Sequence, residues 1–575
     1  MAVAVDLGQR FPRRFVPADA DMGAWSQIEP LFQALLAARP ESPTALERWL
    51  EDASELAAAI DEERARRYIA MTSQTDDPER ERAYLSYMTE IVPKVKPLAH
   101  ALDEAYLASP HRAALPARYR VLDRQIANRV ALFRPENVPL ETEEARLKQQ
   151  YQKLTGAMTV VFRGREHTLP QMARYLQETD RAVRREAWEL VARRRLADRE
   201  ALEDLFDRLL DLRARIARAA GCPDYRAYAF RQRERFDYGP EECLRFHDAV
   251  EAAVLPLVRR LHEERRRRLG VETLRPWDLS VDPLGRPPLR PFETGEQLAV
   301  GVEEIIARVD PELGQQFRFL REQGLLDLDS RKGKAPGGYQ SSLQERRVPF
   351  IFMNAVGVDD DLRTLLHEGG HAFHMLAARG EPIVEYREAP TEFCEVASMG
   401  MELLAAPHLD VFYRDPADRR RSRRETLERV VLIFPWVATI DAFQHWVYAH
   451  EGHTRAQRRA AWLEIFRRFG AGVDYSGYEE EEAALWHRQL HLYLVPFYYI
   501  EYAIAEIGAL QVWQRARRDP ADAVRRYRAA LALGGREPLP ALFAAAGAAF
   551  DFSEGTLRPL MADLAAELEA LGPDA

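Results

Sequence analysis

LRTLLHEGGHAFHML, residues Leu362–Leu376, decides the reading of this chain. Leu362, Leu365, Leu366, Phe373 and Leu376 recur at helical spacing, and Asp359 to Asp361 offer N-cap oxygens just upstream, so the pattern predicts a helix. Residues four apart lie one above the other on a helix face. His367 and His371 can therefore aim two imidazole nitrogens at one ion, and Glu368 can reach a water there without being a ligand. This H-E-x-x-H spacing is the arrangement of zinc hydrolases. At this chain's His and Glu frequencies, roughly 0.03 such matches arise by chance. Gly369 and Gly370 each cost about 1 kcal/mol relative to Ala in a helix. Their presence predicts a close approach there, such as a substrate backbone.

Catalytic zinc takes three protein ligands and leaves one position open. His374 shares the helix face but sits about 10 Å along the axis from His367, too far for one ion, and reads as a satisfied neighbour. The third ligand is sought in the acidic stretch Glu381, Glu385, Glu388, Glu392, Glu395 and Glu402. Pro390-Thr391 marks the start of a second helix, TEFCEVASMGMELLA. Glu395 falls among Phe393, Val396 and Met399, where a solvated face does not explain a carboxylate. Glu392, one turn earlier, is the runner-up, as ligand or as a group orienting an imidazole.

Hydrolysis at such a metal would also need donors for the negative charge that develops on a substrate oxygen. HLYLVPFYYIEYAIA (491–505) supplies His491, Tyr493, Tyr498, Tyr499 and Tyr502, with Pro496 predicting a helix break between His491 and the later tyrosines. Tyr493 reads as core. His487 and His491 form a second i, i+4 pair, but Arg488 stands where a general base would be, and a cation beside a divalent ion is unfavourable. His445, His450 and His453 in FQHWVYAHEGHT (443–454) read as structural rather than ligating. PFIFMN (349–354) is a short apolar run bounded by Pro349 and Gly357, hence a strand. The glycine-rich RKGKAPGGYQ contains no GxxxxGK[ST], so no phosphate loop is expected.

From Leu154 to Phe552 the chain resembles the thimet oligopeptidase and oligoendopeptidase F metallopeptidases, and PFYYIEYA is closer to the bacterial oligoendopeptidase F branch. The resemblance rests on RKGKAPGGYQSS (331–342), PFIFMN, TLLHEGGHAFH (364–374), APTEFCEVAS (389–398), FQHWVYAHEGHT and HLYLVPFYYIEYAIA. It implies one Zn²⁺ on His367, His371 and Glu395, with Glu368 as general base. It also implies that His491 and the tyrosine pair Tyr499 and Tyr502, with Tyr498 the alternative to Tyr499, face the substrate. PFIFMN would be an edge strand whose Phe350, Phe352 and Asn354 hold the peptide, and Gly338 and Tyr339 would belong to a mobile loop near the cleft. Gly370 fits the family pattern, whereas Gly369 stands where a larger residue is usual.

With 575 residues and 47% hydrophobic content, the chain can bury a large core. Helical periodicity, as in REALEDLFDRLLDLRARIARAAG, dominates, and strand signals are few. A mainly α architecture follows, with a small β-sheet beside the H-E-x-x-H helix; the resemblance adds helical lobes around a deep channel. Residues 1–150 are expected to form an N-terminal helical region and 151–565 the catalytic zinc peptidase region. The net charge of −10 gives no field favouring nucleic acid, and the run Arg265 to Arg268 follows Glu263 and Glu264 on an amphipathic helix. Three scattered cysteines without a CxxC fit a reducing cytoplasm. The first residues show no signal-peptide core, and the apolar run VVLIFPWVATI is too short to span a bilayer, so no membrane association is expected. The expectation is a cytoplasmic zinc endopeptidase acting on short unfolded oligopeptides. Its rivals are a peptidase releasing C-terminal dipeptides and a non-catalytic, metal-containing peptide-binding protein.

Overall fold

The computed structural model describes residues 5–572 except Lys332 and Pro336, two positions of the glycine-rich loop that lie outside the described residues. The chain is 69% helical, and the described residues form two small sheets. It divides into two compact units, one built from Met1–Phe133, Arg290–Arg419 and Ala505–Phe550, the other from Arg134–Leu289, Arg420–Ile504 and Asp551–Ala575.

In the first unit, the helices Trp25–Ala37, Pro43–Ser73, Val92–Leu107 and Arg120–Leu132 share one apolar cluster that also takes in Ile383 and Tyr386. The buried Tyr386 hydroxyl accepts from Leu122 N (3.0 Å) and donates to Arg118 O (2.6 Å), tying the segment before the glutamate helix to these helices. A three-stranded sheet follows. Val348–Ala355 is its central strand, parallel to Leu326–Asp329 on one side and antiparallel to Tyr339–Leu343 on the other. The expectation of an edge strand at PFIFMN is therefore wrong. Both backbone edges of that run are taken, and its continuous apolar sequence is what a strand paired on both sides and covered on its faces requires. Phe352 is fully buried and stacks on Tyr339 (centroids 4.7 Å apart), while Asn354 donates to Ala335 O (2.7 Å) and Gly337 O (2.9 Å). The outer strand is the polar YQSSL, Tyr339–Leu343.

The central strand leads into the helix Asp359–Ala378. Of the three aspartates expected to cap it, Asp361 does so from inside the first turn: its Oδ2 accepts from Val356 N (2.8 Å) and Val358 N (2.9 Å). Asp359 instead accepts from the Tyr413 hydroxyl and pairs with Arg363. The second helix runs Thr391–Ala405, directly after Pro390 as expected.

The second unit is helical apart from the hairpin Thr159–Phe162 and Arg165–Thr168, turned at Arg163 and Gly164, both at positive φ. The 34-residue helix Pro416–Ala449 continues through Pro435 and reaches into this unit. By length and composition it could cross a membrane, but 72% of its most apolar window is buried inside the protein, as befits a core helix.

Candidate active site

His367 and His371 stand one turn apart on the helix Asp359–Ala378, with ring centroids 5.0 Å apart. The helix Thr391–Ala405 brings Glu395 to them: its Oε2 lies 3.3 Å from His367 Nε2 and 3.6 Å from His371 Nε2. The ligand-type atoms of these three residues all lie within 4.8 Å of one another. Between Glu395 and Glu392, it is Glu395 that meets the imidazoles. Glu402, two turns further along the same face, places Oε1 2.9 Å from His367 Nδ1 and fixes that ring's orientation. Glu402 is thus an orienting carboxylate that the sequence reading did not single out; the i, i+7 spacing from Glu395 is the signal that would have pointed to it. Ser398 between them donates to Glu395 Oε2 (3.0 Å).

The two helices can approach this closely because of Gly370. A Cβ there would sit 2.4 Å from Ala397 O and 2.6 Å from Ser398 Cα. At Gly370 the close approach expected at the glycine pair is thus helix against helix. A Cβ on Gly369 would meet nothing nearer than 3.7 Å, so a methyl group fits there. His374 is not the satisfied neighbour expected: it is buried, neither ring nitrogen has a hydrogen-bond partner, and it packs edge-on against Phe393. Burial pushes its pKa down to about 3.

Glu368 is 7% exposed, and its Oε2 has no hydrogen-bond partner. Burial raises its carboxyl to about 7, reinforced by Glu395 and Glu402; His367 and, more weakly, a backbone hydrogen bond from Gln340 in the outer strand act the other way. Burial holds His371 down to about 4, leaving it neutral with a lone pair to offer. Burial also disfavours charge on His367, but Glu395 and Glu402 outweigh it and raise this imidazole well above its usual value. Burial would likewise raise Glu395, yet the two histidines and Ser398 hold it at about 2. A neutral imidazole, an ionised carboxylate, an oriented second imidazole and an orphaned carboxylate oxygen beside them suit a divalent metal ion.

In the second unit, His491 lies in the short helix Leu490–Leu494 and Tyr502 in Ile500–Arg518, with Tyr498 and Tyr499 in the break after Pro496. Their rings gather around the imidazole: His491 is 5.7 Å from Tyr498, 4.8 Å from Tyr499 and 5.9 Å from Tyr502, centroid to centroid. Gln489 Nε2 lies 2.7 Å from His491 Nδ1. Burial raises the Tyr499 hydroxyl to about 12, so it stays protonated as a donor. Buried Arg213 pins the segment: it donates to Leu492 O (3.1 Å) and to Tyr493 O, and is itself held by Glu144 (2.9 Å) and the Tyr448 hydroxyl (2.8 Å). Phe497, at positive φ, donates its backbone N–H to Gln444 Oε1 (2.6 Å). Tyr493 is core, stacked on Tyr151 and Trp486. His487 sits in a separate 3₁₀ turn beside Glu203, so it does not form a helical pair with His491.

The peptidase family M3 profile matches residues 174–561, and the peptidase M3 N-terminal domain profile matches 20–127. An oligoendopeptidase F homolog of Lactococcus lactis is 27% identical over 195 residues, and oligopeptidase PepF of Bacillus subtilis 26% over 224 residues. These alignments cover 34% and 37% of this chain and only 30% and 33% of those relatives. Among solved structures, a PZ peptidase A with an inhibitor has a TM-score of 0.91 at 28% identity, covering 98% of this chain and 100% of its own. A putative oligoendopeptidase F from Bacillus anthracis reaches 0.87 at 25% identity, covering 98% and 99%. With the family profile spanning well over half of its length and whole-chain likeness to these structures, the chain belongs to peptidase family M3 and is oligoendopeptidase F-like.

Proposed function

We propose that this chain is a zinc-dependent endopeptidase that hydrolyses internal bonds of short unfolded oligopeptides in the cytoplasm. The observation that carries the reading is the buried Glu368 carboxyl, with one unpartnered oxygen and a pKa near 7, beside the convergent His367, His371 and Glu395. His367, His371 and Glu395 would hold a Zn²⁺ ion, which would supply Lewis acidity and lower the pKa of a bound water toward neutrality. Glu402 fixes His367, and Ser398 fixes Glu395. Glu368 removes a proton from the attacking water and delivers it to the departing amine, a shuttle that works best with a pKa near the operating pH. His491 and Tyr502, with Tyr499 or its neighbour Tyr498, are the proposed donors to the tetrahedral oxyanion; this assignment rests on the resemblance of HLYLVPFYYIEYAIA to the family's segment.

The outer strand Tyr339–Leu343 replaces PFIFMN as the proposed partner of the substrate backbone. It has no further strand beside it among the described residues, and Gln340 already contacts Glu368 through its backbone. Gly338 and Tyr339 stay in the proposed substrate-binding set; Phe350, Phe352 and Asn354 support the strand from behind.

Mass spectrometry of a pool of short and long peptides, with free and amidated C-termini, tests the proposal. Internal cuts confined to the shorter peptides, unaffected by amidation and abolished by a chelator, are expected. Dipeptide loss that requires a free C-terminus would replace the reading with the exopeptidase, and zinc binding without cleavage would replace it with a binding protein.

A further inference from the structure

The second unit holds another cluster with metal-ligand chemistry, remote in sequence from the H-E-x-x-H motif. The helix Pro240–Ala249 carries Cys243 and His247 four residues apart, and the helix Pro416–Ala449 carries Asp441 and His445 four residues apart. Each pair shares one face of its helix. Pairs of this kind on facing helices are how bundles build metal sites. The ligand-type atoms of Cys243, Asp441 and His445 all lie within 4.8 Å of one another, as do those of His367, His371 and Glu395. His445 Nε2 is 3.4 Å from Asp441 Oδ2. Two ligands on a tetrahedral ion with zinc-like bond lengths lie about 3.3–3.8 Å apart.

Two further observations favour an ion here. His445 is 3% exposed; its Nδ1 has no hydrogen-bond partner and its Nε2 makes a long 3.4 Å contact with Asp441 Oδ2, although the ring is held edge-on by Phe230 and Phe497. Leaving a nitrogen of a buried imidazole unsatisfied is costly. Asp441 is fully buried, and its Oδ1 accepts from Gln444 Nε2 (2.8 Å) while His247 Nε2 holds its Oδ2 (2.8 Å). This outer layer would fix a ligating carboxylate in place. A thiolate and a carboxylate together balance one divalent charge, the condition for burying such a group.

We infer that Cys243, Asp441 and His445 form a second, structural metal site for a thiolate-tolerant divalent ion such as Zn²⁺, with His247 orienting Asp441. Cys243, His247, Asp441 and His445 are at most 3% exposed, so no peptide reaches the ion, and its work is to staple the two helices together. His445, which the sequence assigns to structure alone, becomes a ligand in this reading.

Cobalt substitution tests the inference independently of peptidase activity, because only this site offers sulfur. Full-length protein is produced in Co²⁺ medium, and its cobalt content and near-ultraviolet thiolate-to-cobalt absorption are measured. Wild type is expected to hold two equivalents and to show the band. His371→Ala should hold one equivalent and keep the full band. A Cys222→Ser/Cys394→Ser double variant, which leaves Cys243 as the one remaining thiol, should also keep it, and Cys243→Ala should lose it. Failure of Cys243→Ala to fold does not blunt the test, since the wild-type band and the double variant suffice. Folded wild type with no thiolate band, or with one equivalent that disappears in His371→Ala, overturns the inference. Absence of peptidase activity would leave it standing.

Discussion

The two clusters of ligand-type side chains use the same device and differ in access. Each takes an i, i+4 pair from one helix and adds a group from a second helix. Around His367 and His371 the side chains keep 22% and 17% exposure, and beside them stands a carboxylate with an unpartnered oxygen. Around Asp441 and His445 exposure falls to 0% and 4%, and the nearest polar groups, Gln444 and His247, are engaged with Asp441. An open set with a spare acid–base group is built for turnover; a closed set is built for holding. The spacing of ligands within a helix is the same in both, so exposure and the neighbouring carboxylate carry the distinction.

The largest expected effect separates the sites directly. Brief treatment with a chelator should bring peptidase activity to background and remove one metal equivalent, leaving the cobalt–thiolate absorption intact; loss of both signals at one rate would break the comparison. Glu368→Gln should lower kcat by about 10²–10⁴-fold with metal content unchanged in both sites, read by steady-state kinetics and metal analysis. Were that variant to cleave at the wild-type rate, Glu368 would not be the proton shuttle. Glu402→Ala should weaken metal binding at the open site by about 10–100-fold, seen in competition with a chromophoric chelator, with the closed site unaffected. The smallest effects compare neighbouring glycines. Gly370→Ala should destabilise by about 1–3 kcal/mol through overpacking, whereas Gly369→Ala should be neutral or stabilise by up to about 1 kcal/mol; thermal denaturation of both variants reads the difference.

Much of the open site was legible in one stretch because helix geometry is local. The positions of His367, His371 and Glu368 follow from 3.6 residues per turn, and Pro390 announces the helix that carries Glu395. Sequence alone narrowed the third ligand to Glu395 with Glu392 behind it and did not single out Glu402 as an orienting group, because helix phase across the intervening segment is a tertiary quantity. PFIFMN was correctly a strand and wrongly an edge: an apolar run reports burial of its faces, while the number of strands pairing with it depends on segments elsewhere in the chain.

What the sequence determined by itself is the helical class, the i, i+4 convergence of His367 and His371 and the aromatic segment that holds His491, all set by short-range periodicity. Tertiary structure alone decided that Gly370 serves the contact with the helix Thr391–Ala405 and that the outer strand is Tyr339–Leu343. It alone also brought Cys243 to Asp441 and His445 across nearly two hundred residues. Such pairings come from packing one helix or strand against another, and no local pattern encodes which partner the fold will supply.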